Sequence, residues 1–452
     1  MQIIIVGCGN VGGTLAEQLS REDHNITVID TKAERIRDIT ERCDVMGING
    51  NGAIRSVQME AGVEEADLLI AVTDSDELNL LCCLIAKKAG RTCQTIARVR
   101  NPHYSKEAAF LKDELGLAMV INPELAAAFE IARLLKYPKA IKVETFAKGR
   151  AELLKFRVTD GNPLVGCQLK DIPSKLHCDI LICTVERGED VAIPDGNFTI
   201  LSGDLISVVS TSKNIQQFFR KMGMASARVK NSMIIGGGST SYYLAKQLLA
   251  NGIQVKIVEK NKERCRTLCD LLPEATIILG DGTDRSLLTE EGIESAQSFI
   301  TMTSIDEENI MLSLYAKMVS QAKLVTKVHR ISYNELIGPL DLGSVIYPKY
   351  ITAENIIRYV RALSNSMGSN VETLYKLIED KAEALEFYIR GDSPVVGVPL
   401  QDLNLKSNIL IAAINHNGTV ITPGGQSRIY RGDTVVVITT RTGLHDIRDI
   451  LQ

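Results

Sequence analysis

Hydrophobic positions fall in short unbroken runs, separated by stretches with helical spacing. Gln2–Val6, Ile26–Ile29, Val45–Ile48, Leu68–Val72 and Gln94–Val99 read as buried strands. Between them lie Thr14–Leu19, with Leu15, Ala16 and Leu19 on one side, and the polar helix Lys32–Glu41. A segment carrying Val57 and Met59 and the stretch Asp76–Lys88 complete the helices. Strand and helix alternate with short connections, which predicts an α/β fold with a Rossmann-like, doubly wound parallel sheet. Past Arg98 the pattern predicts a helix over Ser105–Leu117, a short strand over Ala118–Ile121 and a strongly apolar helix over Glu124–Leu135. The sheet is already covered by its own helices, so that last helix is expected at a subunit interface rather than in the core.

From Ile141 to Met222 the rhythm changes. Glu152–Val158, Ile180–Glu186, Val191–Ile193 and Leu205–Ser210 read as short strands with Gly, Asp and Pro turns, and Asn214–Lys221 as a closing helix. This predicts a small α+β module. Near residue 231 the whole order starts again. Gly236 stands where Gly7 stood and Glu259 where Asp30 stood, both 229 residues on. Gly280-Asp281-Gly282 repeats Gly50-Asn51-Gly52, Thr303 repeats Thr73, and Lys327 stands for Arg98. Pro194 and Gly203-Asp204 recur as Pro423 and Gly432-Asp433. The chain is thus a tandem duplication of one large-plus-small unit. Its four expected domains span 1–138, 139–225, 230–365 and 366–452.

The chemistry sits where the strands end. Gly7-Cys8-Gly9-Asn10-Val11-Gly12 follows the first strand and opens the first helix, and the second strand ends in Asp30. Strand, glycine turn, helix, strand and terminal acid form the dinucleotide fingerprint in its structural context. Gly7 permits the tight turn, Gly9 lets a pyrophosphate approach the backbone, and Gly12 lets helix and strand pack closely. The helix N-terminus offers unpaired N–H groups to phosphate. Asp30 can accept from both ribose hydroxyls and would repel a 2′-phosphate, which favours NAD or an adenosine nucleotide over NADP. Asn51-Gly52, Thr73-Asp74 and Arg98 lie at the other strand ends and are expected to converge on the same crevice. In the second copy the turn is Gly236-Gly237-Gly238-Ser239-Thr240-Ser241. Ser241 replaces Gly12, which predicts looser helix–strand packing, and a nucleotide affinity or selectivity different from the first site's.

Composition narrows the function classes. The apolar share is 45%, the net charge −4 and the pI about 6.0, so there is no general basic footprint for nucleic acid. Trp is absent and aromatics make up 5%, which leaves no stacking platform for single strands. No apolar run approaches the roughly 20 residues of a membrane helix, and residues 2–6 lead straight into the glycine turn, so a soluble cytosolic chain without a signal peptide is expected. The ten cysteines form no CxxC and mostly sit in apolar patterns, which predicts buried free thiols. The six histidines have no metal-ligand spacing, so no metal site is expected.

The order nucleotide fold, small module, nucleotide fold, small module resembles the TrkA family, cytosolic regulatory subunits of bacterial Trk potassium uptake systems built from regulator-of-potassium-conductance domains. The resemblance is carried by Gly7–Gly12 with Asp30, Asn51-Gly52, Val72-Thr73-Asp74 and Arg98. In the small modules it rests on Gly161-Asn162-Pro163-Leu164-Val165-Gly166 and Ser393-Pro394-Val395-Val396-Gly397. It implies NAD(H) and ATP or ADP as ligands. It also implies a homo-oligomeric ring of four chains under a membrane-embedded potassium-translocating subunit, peripheral on the inner face of the cell membrane. By the same resemblance, Gly7 to Val11 cradle phosphate, Asp30 holds ribose, Thr73 and Asp74 lie near adenosine, and Arg98 reaches a terminal phosphate. Gly236 to Thr240, Glu259, Asp281, Thr303 and Lys327 take those places in the second copy. The rival reading is an NAD-dependent dehydrogenase. Its acid/base candidates are few: His103 and Tyr104 read as surface-loop residues, and His177 and His416 stand alone at non-equivalent places in the two small modules. No Walker lysine follows the first turn. The residues therefore favour a binding switch over an enzyme.

Overall fold

The structure, a computed structural model, describes residues 1–452 except 23, 91, 224–228, 330–336, 338, 339, 341, 367–370, 379, 380, 392, 442, 443 and 445. The first large fold runs β1 (Gln2–Val6), α1 (Asn10–Ser20), β2 (Asn25–Asp30), α2 (Ala33–Arg42), β3 (Met46–Asn49), α3 (Arg55–Glu60), β4 (Leu68–Ala71), α4 (Asp76–Ala89), β5 (Gln94–Arg98), α5 (Pro102–Lys106), α6 (Ala108–Glu114), β6 (Met119–Ile121) and α7 (Pro123–Lys136). The first module holds β7 (Lys142–Phe146), β8 (Ala151–Arg157), α8 (Ile172–Leu176), β9 (Leu181–Arg187), β10 (Asp190–Ala192), β11 (Leu205–Ser210) and α9 (Ser212–Lys221). The second fold repeats the order as β12 (Asn231–Ile235), α10 (Ser239–Ala250), β13 (Gln254–Glu259), α11 (Lys262–Leu271), β14 (Thr276–Leu279), α12 (Arg285–Glu290), β15 (Ser298–Thr301), α13 (Asp306–Val319), β16 (Lys323–Lys327), β17 (Ser344–Ile346) and α14 (Pro348–Ser366). The second module holds β18 (Val371–Ile378), β19 (Ala382–Tyr388), β20 (Ile409–His416), β21 (Thr419–Ile421) and β22 (Thr434–Thr439).

Each large fold is a six-stranded parallel sheet, ordered β3-β2-β1-β4-β5-β6 and β14-β13-β12-β15-β16-β17. The strand order reverses beside the first strand of each, the switch point at which such sheets open a crevice. Ile3, Ile4 and Ile5 are buried on β1, as are Leu68, Leu69 and Ile70 on β4, because helices cover both faces. The modules are antiparallel five-stranded sheets, β10-β9-β11-β8-β7 and β18-β19-β22-β20-β21.

The chain divides into two compact units. One is Met1–Ala132 with Lys230–Ile357, the two large folds; the other is Arg133–Val229 with Arg358–Gln452, the two modules. Within the second unit, Phe146, Ala151 and Leu153 of the first module share one buried cluster with Ala384, Ala413 and Val436 of the second. Within the first, Asn122 Nδ2 donates to the Tyr243 hydroxyl at 3.1 Å, joining the end of β6 to α10.

Several expectations need correction. The single helix over Ser105–Leu117 is two, because Asn101 caps α5 through His103 N and the chain turns at Glu107 (φ −102°, ψ 15°) before α6. β7 and α8 were missing from the pattern. The helix over Glu124–Leu135 forms, but this chain itself buries Ala127, Ala128, Ile131, Leu134 and Leu135. Only part of its apolar surface, Phe129 at 53% exposure, is left for a partner. The domain limit at 225 lies outside the described residues. All ten cysteines are free thiols, eight of them buried. Among the described residues no helix is long and apolar enough to cross a membrane, and no cluster of His, Cys, Asp and Glu could hold a metal ion.

Candidate nucleotide-binding site

The parallel register levels the strand ends. Val6 pairs with Ile29 and with Ala71, Ala71 with Ala97, and Asp30 with Asn49, so Gly7, Asp30, Thr73 and Arg98 emerge side by side. The glycine turn is sterically fixed at two points. Gly7 has φ +98°, and a Cβ there would stand 3.0 Å from Thr73 N. A Cβ on Gly12 would stand 1.9 Å from Gly7 O, so no side chain fits while α1 keeps its place. At Gly9 the nearest atom to such a Cβ is Arg35 Nη1 at 3.8 Å. The protein's own packing does not require glycine there, so the backbone is open to the approach of a ligand. Gly9 is also the N-cap of α1 and supplies no side-chain cap, which leaves the first-turn N–H groups to a ligand. Asn10 is exposed beside it, and Val11 is buried beneath.

Asp30 is 7% exposed. Its Oδ2 accepts Cys8 N at 2.7 Å and its Oδ1 accepts Lys32 N at 2.8 Å. The carboxylate thus ties the turn to the start of α2. Each oxygen keeps a further lone pair for a ribose hydroxyl. Burial, and then Asp30, push the Cys8 thiol up to about 11, so this residue adds no negative charge to the crevice. Gly52 packs on Val6, where a Cβ would meet Cγ1 at 2.3 Å, and exposed Asn51 accepts Ala53 N at 2.9 Å.

Thr73 and Arg98 are organised by Asn79, a residue the sequence reading missed. Its buried amide accepts from Thr73 N at 2.7 Å and donates to Thr73 O at 3.2 Å and Arg98 O at 2.9 Å. Asp76, also missed, accepts Arg100 N at 2.9 Å and Asn101 N at 2.7 Å. Both are polar residues in a helix, so the pattern alone places them at the surface. Their recurrence as Asn309 and Asp306 was the available signal. Arg98 is 8% exposed. It donates to Thr73 O and contacts exposed Asp74 at 3.3 Å, and its buried Nε has no partner. Burial lowers its pKa.

The second crevice repeats these bonds. Glu259 Oε2 accepts Gly237 N at 2.6 Å and Oε1 accepts Asn261 N at 2.7 Å, so the extra methylene preserves the tie. Gly238 caps α10 without a side-chain bond, with exposed Ser239 and half-buried Thr240 beyond it. Asn309 accepts Thr303 N at 2.9 Å and donates to Lys327 O at 3.0 Å. Asp281 accepts Thr283 N at 2.9 Å, and that backbone bond lowers its pKa. Lys327 Nζ donates to Met302 O at 2.9 Å, and burial pulls its pKa down to about 8. Ser241 is fully buried and its hydroxyl donates to Gly236 O at 2.5 Å. The atom that would collide with a side chain in the first copy accepts a hydrogen bond in the second. The second copy therefore admits a side chain where the first admits none. The residues present fit a nucleotide in both copies.

The dehydrogenase candidates have contacts of their own. The Tyr104 hydroxyl donates to Glu77 at 3.0 Å, His177 ends α8 in the left-handed region (φ 44°), and His416 contacts Asp433 at 2.5 Å. His177 and His416 belong to the unit that holds the modules.

Family models agree with the fourfold order. One described as the TrkA-N domain matches residues 3–123 and 232–348, and one described as the TrkA-C domain matches 153–223 and 384–452. The chain is 32% identical to the Trk system potassium uptake protein TrkA of Halomonas elongata, with 100% of this chain and 99% of that protein covered. It is 31% identical to the TrkA of Haemophilus influenzae over 100% of this chain and 99% of that one. Among solved structures it is similar to the GsuK channel bound to NAD, with a TM-score of 0.62 and 18% identity over 97% of this chain and 76% of that one. The GsuK RCK domain gives the same TM-score, 0.62, at 18% identity, over 97% of this chain and 92% of that one.

Proposed function

The chain belongs to the TrkA family, and on that footing we propose that it is the nucleotide-binding regulatory subunit of a Trk-type potassium uptake system. It binds NAD(H) and ATP or ADP without transforming them. It acts from the cytoplasmic side, as a ring of four chains against a membrane-embedded potassium-translocating subunit. Its four domains span 1–138, 139–225, 230–365 and 366–452. Nucleotides that bind two ring shapes with different affinity shift the equilibrium between them; one that binds both equally shifts nothing.

The observation that carries this reading is the paired acid tie. In both copies the acid ending the second strand holds the glycine turn by one oxygen and the next helix by the other, with lone pairs left for ribose. Thr73, Asp74 and Arg98 then face the adenosine and terminal phosphate, and Thr303 and Lys327 do so in the second copy. Asp30→Ala is expected to weaken NADH and ADP binding at the first site by tenfold or more, read by titration calorimetry. Unchanged affinity would remove Asp30 from the site. Multi-turnover NADH oxidation with a panel of 2-hydroxy and 2-amino acids would instead establish the dehydrogenase.

A further inference from the structure

Arg35 stands one turn into α2, five residues past Asp30, and no strand end or glycine motif draws attention to it. Its Nη1 lies 3.6 Å from Asp30 Oδ2. That distance balances charge but is too long for a hydrogen bond. Among the described residues the guanidinium N–H groups make no hydrogen bond at all. Five donors are therefore unspent. They border the one glycine of the turn whose missing side chain the protein's packing does not explain, because Nη1 is the only atom within 4 Å of a Cβ on Gly9.

The repeat carries arginine at the same place. Arg264 lies five residues past Glu259, and its Nε donates to Gly237 O at 2.5 Å. In both copies, then, a guanidinium reaches from the second helix onto the glycine turn. Neither belongs to the residues that the fingerprint assigns.

We propose that Arg35 is a phosphate-binding, specificity-determining residue of the first site. This rests on the nucleotide-binding reading above. When an adenosine di- or polyphosphate lies along the turn, Arg35 leaves its long contact with Asp30 and donates to the phosphate chain, a planar fork suited to paired oxygens. Asp30, relieved of the guanidinium, accepts the ribose hydroxyls. The guanidinium charge then meets the phosphate, while the Asp30 carboxylate stays hydrogen-bonded by Cys8 N, Lys32 N and the ribose hydroxyls. It makes the first site discriminate by phosphate charge, so adenosine alone gains nothing from Arg35.

The test is titration calorimetry on the full chain with adenosine, ADP and NADH. The variants are Arg35→Met, which keeps the apolar stem, Arg35→Lys, which keeps the charge, and Arg264→Met, which leaves the first site untouched. Arg35→Met is expected to weaken ADP and NADH binding at one class of sites at least tenfold while adenosine changes less than twofold. Arg35→Lys restores part of the loss, and Arg264→Met leaves that class intact. Equal losses for adenosine and ADP, or an unchanged ADP affinity with a native urea midpoint, would overturn the assignment. Wild-type protein that binds neither ADP nor adenosine would instead sink the nucleotide reading itself.

Discussion

Gly12 and Ser241 occupy the same place in the two copies and obey opposite constraints. In the first, a Cβ would be 1.9 Å from Gly7 O; in the second, the serine hydroxyl bonds the equivalent oxygen at 2.5 Å. Gly12→Ser is expected to destabilise the first fold by about 1–3 kcal/mol through overpacking, seen as a lower urea midpoint. Lys327 gives a pH signature. Its folded pKa of about 8 lies below the unfolded lysine value of about 10.4, so the unfolded chain holds more protons in that interval. Lys327 therefore makes stability rise with pH between about 8 and 10. Lys327→Met should abolish that rise in urea midpoints measured across the interval. Gly7, Gly9, Gly12 and Asp30 were legible because each serves a recurring motif. Asn79 and Asp76 were not, because a polar side chain on a helix looks solvent-facing until the loop it holds is in view.

At the scale of elements, the modules show one design with two different side chains. Asp204 is 1% exposed and takes two bonds at 2.8 Å from Arg187, through Nε and Nη2. The equivalent Asp433, also 1% exposed, faces His416 instead. Arg187 is the main cause of the lowered Asp204 pKa, helped by the Leu201 N–H. A depressed carboxyl adds stability that is full above the unfolded value of about 3.9 and is lost as pH falls through the folded one. Arg187→Leu should cost about 1 kcal/mol at neutral pH, since the guanidinium is 44% exposed and screened by water. Urea midpoints of wild type and variant should then draw together as the pH falls below about 4. Long buried strands were easy to place from their apolar runs. The helix over Ser105–Leu117 was misjudged because an Asn-Pro start and a break at Glu107 leave the apolar spacing almost intact. β7 escaped notice because its sequence, Lys142-Val143-Glu144-Thr145-Phe146, puts apolar and polar residues on both faces, and Lys142 and Glu144 pair with each other at 3.3 Å.

At the scale of the whole molecule, the fourfold order could be read from one spacing repeated across glycines, acids and prolines. How the four pieces associate could not. Along the chain large and small alternate, yet large gathers with large and small with small. Contacts such as Asn122 to Tyr243 that join the two large folds come from residues far apart in sequence, with no local pattern to announce them. The duplication carries a further consequence. Two unlike crevices on one polypeptide are always made in equal number, whatever the cell's rate of synthesis. On the proposed reading, a population of these molecules responds to a ligand in two steps of matched height, and a lesion in either copy silences one step while the other survives.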